Sequence, residues 1–188
     1  MYYDIYILGC LMQRPHHGYE IKKKLTNAMS ACTSISNNSL YPILRKYEQA
    51  GATTRRVEQH PGAPDRVVYE ITDTGRRMFV DALWHFPDAL ILSREDFCMR
   101  LLYFEFLSRE ARERVIALRE AYVQRGLRLL AGERRVEGGP YIPHEPEMAA
   151  FHRELLLLEQ RLLDRYKQRL DEPCRIDGDG HLTGDFPA

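Results

Sequence analysis

The chain has 188 residues, 27 Lys and Arg against 27 Asp and Glu, and so no formal net charge. That length carries a real core, and a uniformly basic nucleic-acid binder is excluded. Charge is nonetheless uneven: residues 1–80 hold 11 Lys and Arg against 7 Asp and Glu, a net +4, and the remainder carries −4. An anionic partner, if there is one, belongs to the first half.

In chain order, residues 2–13 place Ile5, Leu8, Cys10, Leu11 and Met12 on a short buried helix that Pro15 ends. This apolar start has no basic leader and no small-residue cleavage site, and no run of 18 apolar residues follows anywhere. A cytoplasmic setting is expected, and the scattered Cys10, Cys32, Cys98 and Cys174 fit reduced thiols. A second helix is expected over His17–Met29, with Tyr19, Ile21, Leu25 and Met29 broadly on one side and a basic run at Lys22–Lys24.

The stretch Ser36–Ala50 reads as a third helix closed by Gly51. At 100° per residue, Leu40, Ile43, Leu44 and Tyr47 share one face. Asn38, Pro42, Arg45 and Gln49 fall opposite, flanked by Tyr41 and Lys46. Pro42 poses a problem, because a proline inside a helix is disfavoured by about 3 kcal/mol. Two starts are open. If Ser39 caps the helix, Pro42 is third and its missing N–H would have had no intrahelical partner. If Ser36 caps it, the helix must bend near Pro42.

TTRRVEQ (53–59) and RVVYEI (66–71) are β-prone runs around HPGAPD (60–65). Six loop residues are too many for a tight turn, so a projecting tip is expected, with Arg66 beside it. Thr72 is the expected N-cap of the next helix. Three helices and a hairpin make a winged helix-turn-helix arrangement. Its outer helix face carries amides, hydroxyls, a phenol and a guanidinium around a helix N-terminus. This set suits DNA: Ser39 and the terminal N–H groups for phosphate, Arg45 for guanine O6 and N7, Asn38 for adenine, Tyr41 for sugar or a thymine methyl.

The second half reads as helix almost throughout. Ser93 and Ser108 are expected N-caps, the second opening a helix of about 25 residues. GGPYIPHEP (138–146) is a loop, and Pro146 suits the first turn of a last long helix. Along it Phe151, Leu155, Leu158, Leu162 and Tyr166 recur at spacings of 4, 3, 4 and 4, close to a coiled-coil seam, which predicts homodimerisation. Trp84, Phe86, Phe97, Met99, Tyr103, Phe104 and Phe106 cluster between the halves. Of these, Trp84, Phe97, Tyr103 and Phe104 are the expected lining for a small aromatic effector, with ordinary core as the competing reading. Nucleophile-elbow, phosphate-loop and HExxH motifs are missing, the histidines lack chelating spacing, and neither enzyme activity, metal nor cofactor is expected.

The motifs resemble those of the PadR family of bacterial transcriptional regulators. HGYEIKKKL (17–25), SNNSLYPILRKYEQAG (36–51) and GAPDRVVYEITDTGRR (62–77) are similar to its second-helix, third-helix and wing segments. Asn38 stands where the family usually has glycine. The second half resembles, more weakly, the subgroup with a long AphA-like helical dimerisation region. The fold expected is mainly α with a small β-hairpin: a winged helix-turn-helix over residues 1–85, a helical, coiled-coil-like dimerisation region over 90–172, and a loose tail over 173–188. The resemblance implies a homodimeric regulator, more often a repressor, on a pseudo-palindromic operator in double-stranded DNA. It implies DNA contacts at Tyr19, Ser39, Tyr41, Arg45 and Arg66. Lys22, Asn38, Pro42 and Lys46 share the same surface and complete the expected set. A winged helix that binds another protein and no longer reads DNA is the alternative.

Overall fold

The computed structural model describes residues 2–28, 36–60, 63–131 and 144–183. The chain is mostly helical with one small antiparallel sheet, and it divides into two units. The first takes in residues 1–86, 98–107 and 174–188, the second residues 87–97 and 108–173. The winged-helix unit therefore recruits two later stretches that the sequence assigned elsewhere.

In the first unit, α1 (Tyr2–Gln13), α2 (Gly18–Ala28), α3 (Asn37–Gln49) and α4 (Asp73–Trp84) surround a core that includes Ile7, Leu11, Ile21, Leu25, Leu40, Leu44, Tyr47 and Phe79. Tyr47 donates its hydroxyl hydrogen bond to the Asp4 carboxylate. Burial and that acceptor raise the phenol's pKa well beyond its ordinary range. The end of α3 is a Schellman closure: Gly51 has φ +68°, Ala52 N–H donates to the Tyr47 carbonyl at 2.8 Å, and Gly51 N–H to that of Glu48 at 3.0 Å. The Ala52 carbonyl then accepts Thr72 N–H at 3.0 Å, and Thr72 Oγ1 caps α4 through Gly75 N–H at 3.2 Å. Gly75 is obligatory, since a Cβ there would lie 2.1 Å from the Ala52 oxygen.

The sheet runs β1–β3–β2, with β1 (His16–His17) a strand the sequence did not disclose. Two residues are too few to leave a period-2 pattern. The hairpin is longer than expected, β2 spanning Thr53–His60 and β3 Ala63–Ile71. His60 pairs with Ala63, so four of the six residues expected in the tip, His60, Ala63, Pro64 and Asp65, belong to the strands, and residues 61–62 lie outside the described residues. Pro64 misled the reading. Among the described residues β1 pairs with Val68 and Tyr69 and stops short of Pro64, where β3 has one strand beside it and proline is tolerated.

The 3-10 turn Phe104–Phe106 completes this unit. Tyr103 donates its hydroxyl to the Tyr6 carbonyl at 3.2 Å, and Trp84 Nε1–H donates to that of Phe106 at 2.6 Å. Phe79 meets Tyr103 and Phe106 edge-on at 5.5 and 6.1 Å. The tail is also corrected. Arg175 N–H donates to the Glu105 carbonyl at 2.8 Å, Ile176 pairs with Leu182 and is buried, and His181 N–H donates to Asp177 at 2.8 Å. That last bond leads the interactions that hold the Asp177 carboxyl below the usual range. Residues 184–188 lie outside the described residues.

The second unit contains α5 (Asp88–Leu92), the start of α6 (Arg94–Leu102), α7 (Arg109–Ala131) and α8 (Glu145–Lys167). Ser93 and Ser108 cap α6 and α7 as expected, accepting from Asp96 N–H at 3.4 Å and Ala111 N–H at 3.2 Å. Val115, Ile116 and Val123 of α7 and Leu163 of α8 are buried, and Gly126 lets Leu156 approach: a Cβ there would lie 2.7 Å from its Cδ1. Two arginines share that buried stripe. Arg112 reaches the carbonyls of Arg169, Leu170 and Pro173 at 3.3–3.4 Å, satisfying oxygens at the end of α8. Arg119 pairs with Glu159 and donates to the Ile91 and Leu92 carbonyls at 2.9 and 2.7 Å. Its guanidinium also lies 4.9 Å from the centre of the Phe97 ring. None of the described helices is long and apolar enough to cross a membrane.

Arg119 and Glu159 are both almost wholly buried, so deleting one charge strands the other. Arg119→Met is expected to lower unfolding free energy by about 3–5 kcal/mol in urea titrations. Arg119→Met combined with Glu159→Leu should recover more than half of that loss.

Candidate nucleic-acid interface

The start of α3 decides what its outer face presents. Ser36 is the cap: its Oγ accepts Ser39 N–H at 3.2 Å, and its carbonyl accepts Leu40 N–H at 2.9 Å. Of the two starts left open by the sequence, the earlier is the observed one. Ser39 is the third helical residue, its hydroxyl 3.0 Å from that of Ser36. Pro42 is then inside the helix and exposed, with no N–H to offer the Asn38 carbonyl. Burial of Leu40, Leu44 and Tyr47 turns Asn38, Ser39, Tyr41, Pro42, Arg45 and Lys46 outward.

Part of that face borders a groove of about 940 Å³ built by β1, α2, α3, β2 and β3. Tyr19, Tyr41, Arg45 and Arg66, from three different elements, all line it. Tyr19 is 69% exposed and Tyr41 39%. Lys22, Asn38, Ser39, Pro42 and Lys46 do not line it. Lys22 instead donates to Asn37 Oδ1 at 3.0 Å, tying α2 to the first turn of α3. Lys23 and Arg55 are groove residues that the sequence reading did not choose. Lys23 lies four residues after Tyr19, and that helical spacing could have selected it over Lys22. Arg55 stands opposite Tyr69 across the sheet, and its Nε is 2.9 Å from Glu48 Oε1, so its charge is shared. Lys23, Arg45, Lys46 and Arg66 form no ion pair among the described residues. Cations at a groove edge beside two phenols suit phosphate and base edges together.

Beneath the groove, His16 is 1% exposed. Its Nε2 lies 3.0 Å from Lys24 Nζ and its Nδ1 3.2 Å from Glu20 Oε2. An ammonium only donates, so Nε2 accepts, Nδ1–H donates to Glu20, and the ring is neutral. Burial holds its pKa below the ordinary histidine value, and the Lys24 and Arg14 charges add to that against the opposing pull of Glu20. Glu20 also accepts His17 N–H at 3.0 Å, the main reason its carboxyl titrates below the usual range.

The residues expected to line an effector site are divided between the two units. Trp84, Tyr103 and Phe104 belong to the first unit and Phe97 to the second. Tyr103, Phe104 and Phe97 are buried, and the Trp84 N–H is bonded to backbone. Among the described residues no group of three or more His, Cys, Asp or Glu is arranged to hold a metal ion.

Residues 7–81 match the family described as Transcriptional regulator PadR-like family. No curated protein matches the chain. Among solved structures, Bacillus subtilis PadR in complex with operator DNA is 19% identical with a TM-score of 0.43, covering 90% of this chain and 97% of its own. A PadR-like transcriptional regulator from Bacillus cereus is 21% identical with a TM-score of 0.39, covering 92% and 95%. A transcriptional regulator from Thermoplasma acidophilum is 28% identical with a TM-score of 0.37, covering 42% and 71%.

The buried His16 gives a signed pH dependence. Its folded pKa lies below its unfolded value of about 6.5, so the unfolded chain takes up the proton first as pH falls. The contribution is complete above about pH 6.5 and is lost as pH drops below it. Urea midpoints should fall between pH 7.5 and 5.5, where Glu20 is ionised in both states, and His16→Gln should flatten that fall.

Proposed function

We propose, from the match of residues 7–81 to the PadR-like transcriptional-regulator family, that the protein binds duplex DNA as a homodimeric regulator, more often a repressor, of a pseudo-palindromic site. The observation that carries this reading is the convergence of Tyr19, Tyr41, Arg45 and Arg66 on one open groove beside the outer face of α3. In this reading α3 enters the major groove. Arg45 addresses guanine O6 and N7, and Asn38 addresses adenine. Ser39 and the first-turn N–H groups hold phosphate, Lys46 adds a second cation on α3, and Arg66 anchors the wing to the backbone. Lys23 takes the place expected for Lys22.

Dimerisation rests on α8. In the single chain Phe151 and Leu158 are 51% and 55% exposed, and Leu155, Leu162 and Tyr166 are only partly covered. A second copy of the helix would cover this stripe. The aromatic effector draws no support from the side chains expected to hold it, which are engaged in packing.

Three measurements test the proposal. Selection from a random duplex library, followed by anisotropy titration, should yield a two-fold site whose affinity falls steeply with salt. Arg45→Ala should weaken binding by about 1–3 kcal/mol and relax one position of the site, whereas Lys46→Ala should weaken all sequences alike. If the wild type selects no duplex at low salt yet retains another protein, the interaction-module reading stands instead. Separately, light scattering at micromolar concentration should give a dimer that Leu158→Glu converts to a monomer, and a monomeric wild type would defeat the α8 interface.

A further inference from the structure

Gly18 opens α2 and is buried. The described glycines with positive φ are Gly51 and Gly180, so Gly18 is not there for left-handed backbone. Nor does glycine favour the helix it begins, where alanine would be the better residue. What distinguishes the position is its neighbour. A Cβ on Gly18 would lie 3.0 Å from Tyr41 Cε1 and 3.4 Å from both Cζ and Oη. The Tyr41 ring lies against the bare α-carbon, close enough that a Cβ would press on it by a few tenths of an ångström.

We propose, resting on the DNA reading above, that Gly18 is a positioning residue for DNA recognition: it seats the Tyr41 phenol at the groove beside Arg45. α2 and α3 are joined here by an aromatic ring on a backbone α-carbon. A side chain at position 18 would push the ring outward from α2 by a few tenths of an ångström and shift its hydroxyl, since the nearest atoms a Cβ meets all belong to Tyr41. Tyr41 has the freedom to move, being part-exposed on the outer side of α3. A substitution at Gly18 therefore alters what α3 presents without unfolding it.

The test uses the full-length chain and a duplex that the wild type selects from a random library. Gly18→Ala and Gly18→Ser are expected to bind that duplex about three- to tenfold more weakly, the range of one displaced hydrogen bond. Their thermal midpoints should be unchanged or higher. In a Tyr41→Ala background, Gly18→Ala should bring no further loss. With 3-fluorotyrosine at position 41 alone, the fluorine resonance should shift in both variants without DNA. Unchanged affinity, an equal loss in the Tyr41→Ala background, a lowered thermal midpoint or an unmoved fluorine resonance would each overturn the inference. A wild type that selects no duplex sinks the DNA reading, and with it the recognition role of Gly18, even where the fluorine resonance confirms the seat.

Discussion

A helix has one roll angle, and the structure of the first unit depends on how that of α3 is set. Leu40, Leu44 and Tyr47 are sealed from solvent on its inner face. Burying side chains of that size favours this orientation by about 1.5–3 kcal/mol each, far more than any surface contact opposes it. The Tyr47 hydroxyl adds a directional bond to Asp4 of α1. With the inner face so fixed, Tyr41, Arg45 and Lys46 have nowhere to point but outward. The outer face is thus specified by residues buried on the inner one.

The same helix hands its orientation on to the wing. The Schellman turn at Gly51 reverses the chain, and Ala52 is bonded on both sides, its N–H to Tyr47 and its carbonyl to Thr72. Thr72 in turn starts α4, and Gly75 lies against that same carbonyl. Helix α3, the hairpin and α4 therefore share one junction of a few backbone groups. A wing cannot swing independently of α3 while these bonds hold. This is why Arg66, far from Arg45 in sequence, reaches the same groove.

Much of this was legible because it follows from local chemistry. The apolar period of α3, Gly51 as its left-handed end, Thr72 as a cap and the two β-prone runs each announce themselves in a few consecutive residues. The start of α3 did not, since Ser36 and Ser39 are equally good caps and only the observed bonds choose between them. The hairpin length was misread because Pro64 signals a loop locally, whereas its tolerance depends on which strand lies beside it. Arg112 and Arg119 are harder still. A guanidinium on an apolar stripe reads as a break in the pattern, and its acceptors, the carbonyls of residues 91–92 and 169–173, are distant in sequence. Long-range satisfaction of buried polar groups is the part that periodicity cannot encode.

The loose tail was misjudged for a related reason, with a consequence for how the molecule must be built. Glycine and proline content describes the freedom of an isolated segment and says nothing about a surface waiting for it. Glu105 offers Arg175 both its carbonyl and its carboxylate, the latter at 2.9 Å, and Ile176 is buried behind them. Tyr103, two residues before Glu105, reaches back to Tyr6 and fills the space beside Gly9, where a Cβ would lie 2.4 Å from its ring. The first unit is therefore not closed by residues 1–86. It needs the end of α6 and the turn that follows, and then a strand-like segment that arrives only after the chain has traversed α7 and α8. A fragment ending at residue 86 would leave parts of α1 and α4 without the aromatic side chains that cover them. The groove beside α3 is built from residues local in sequence, but the fold that holds it is not.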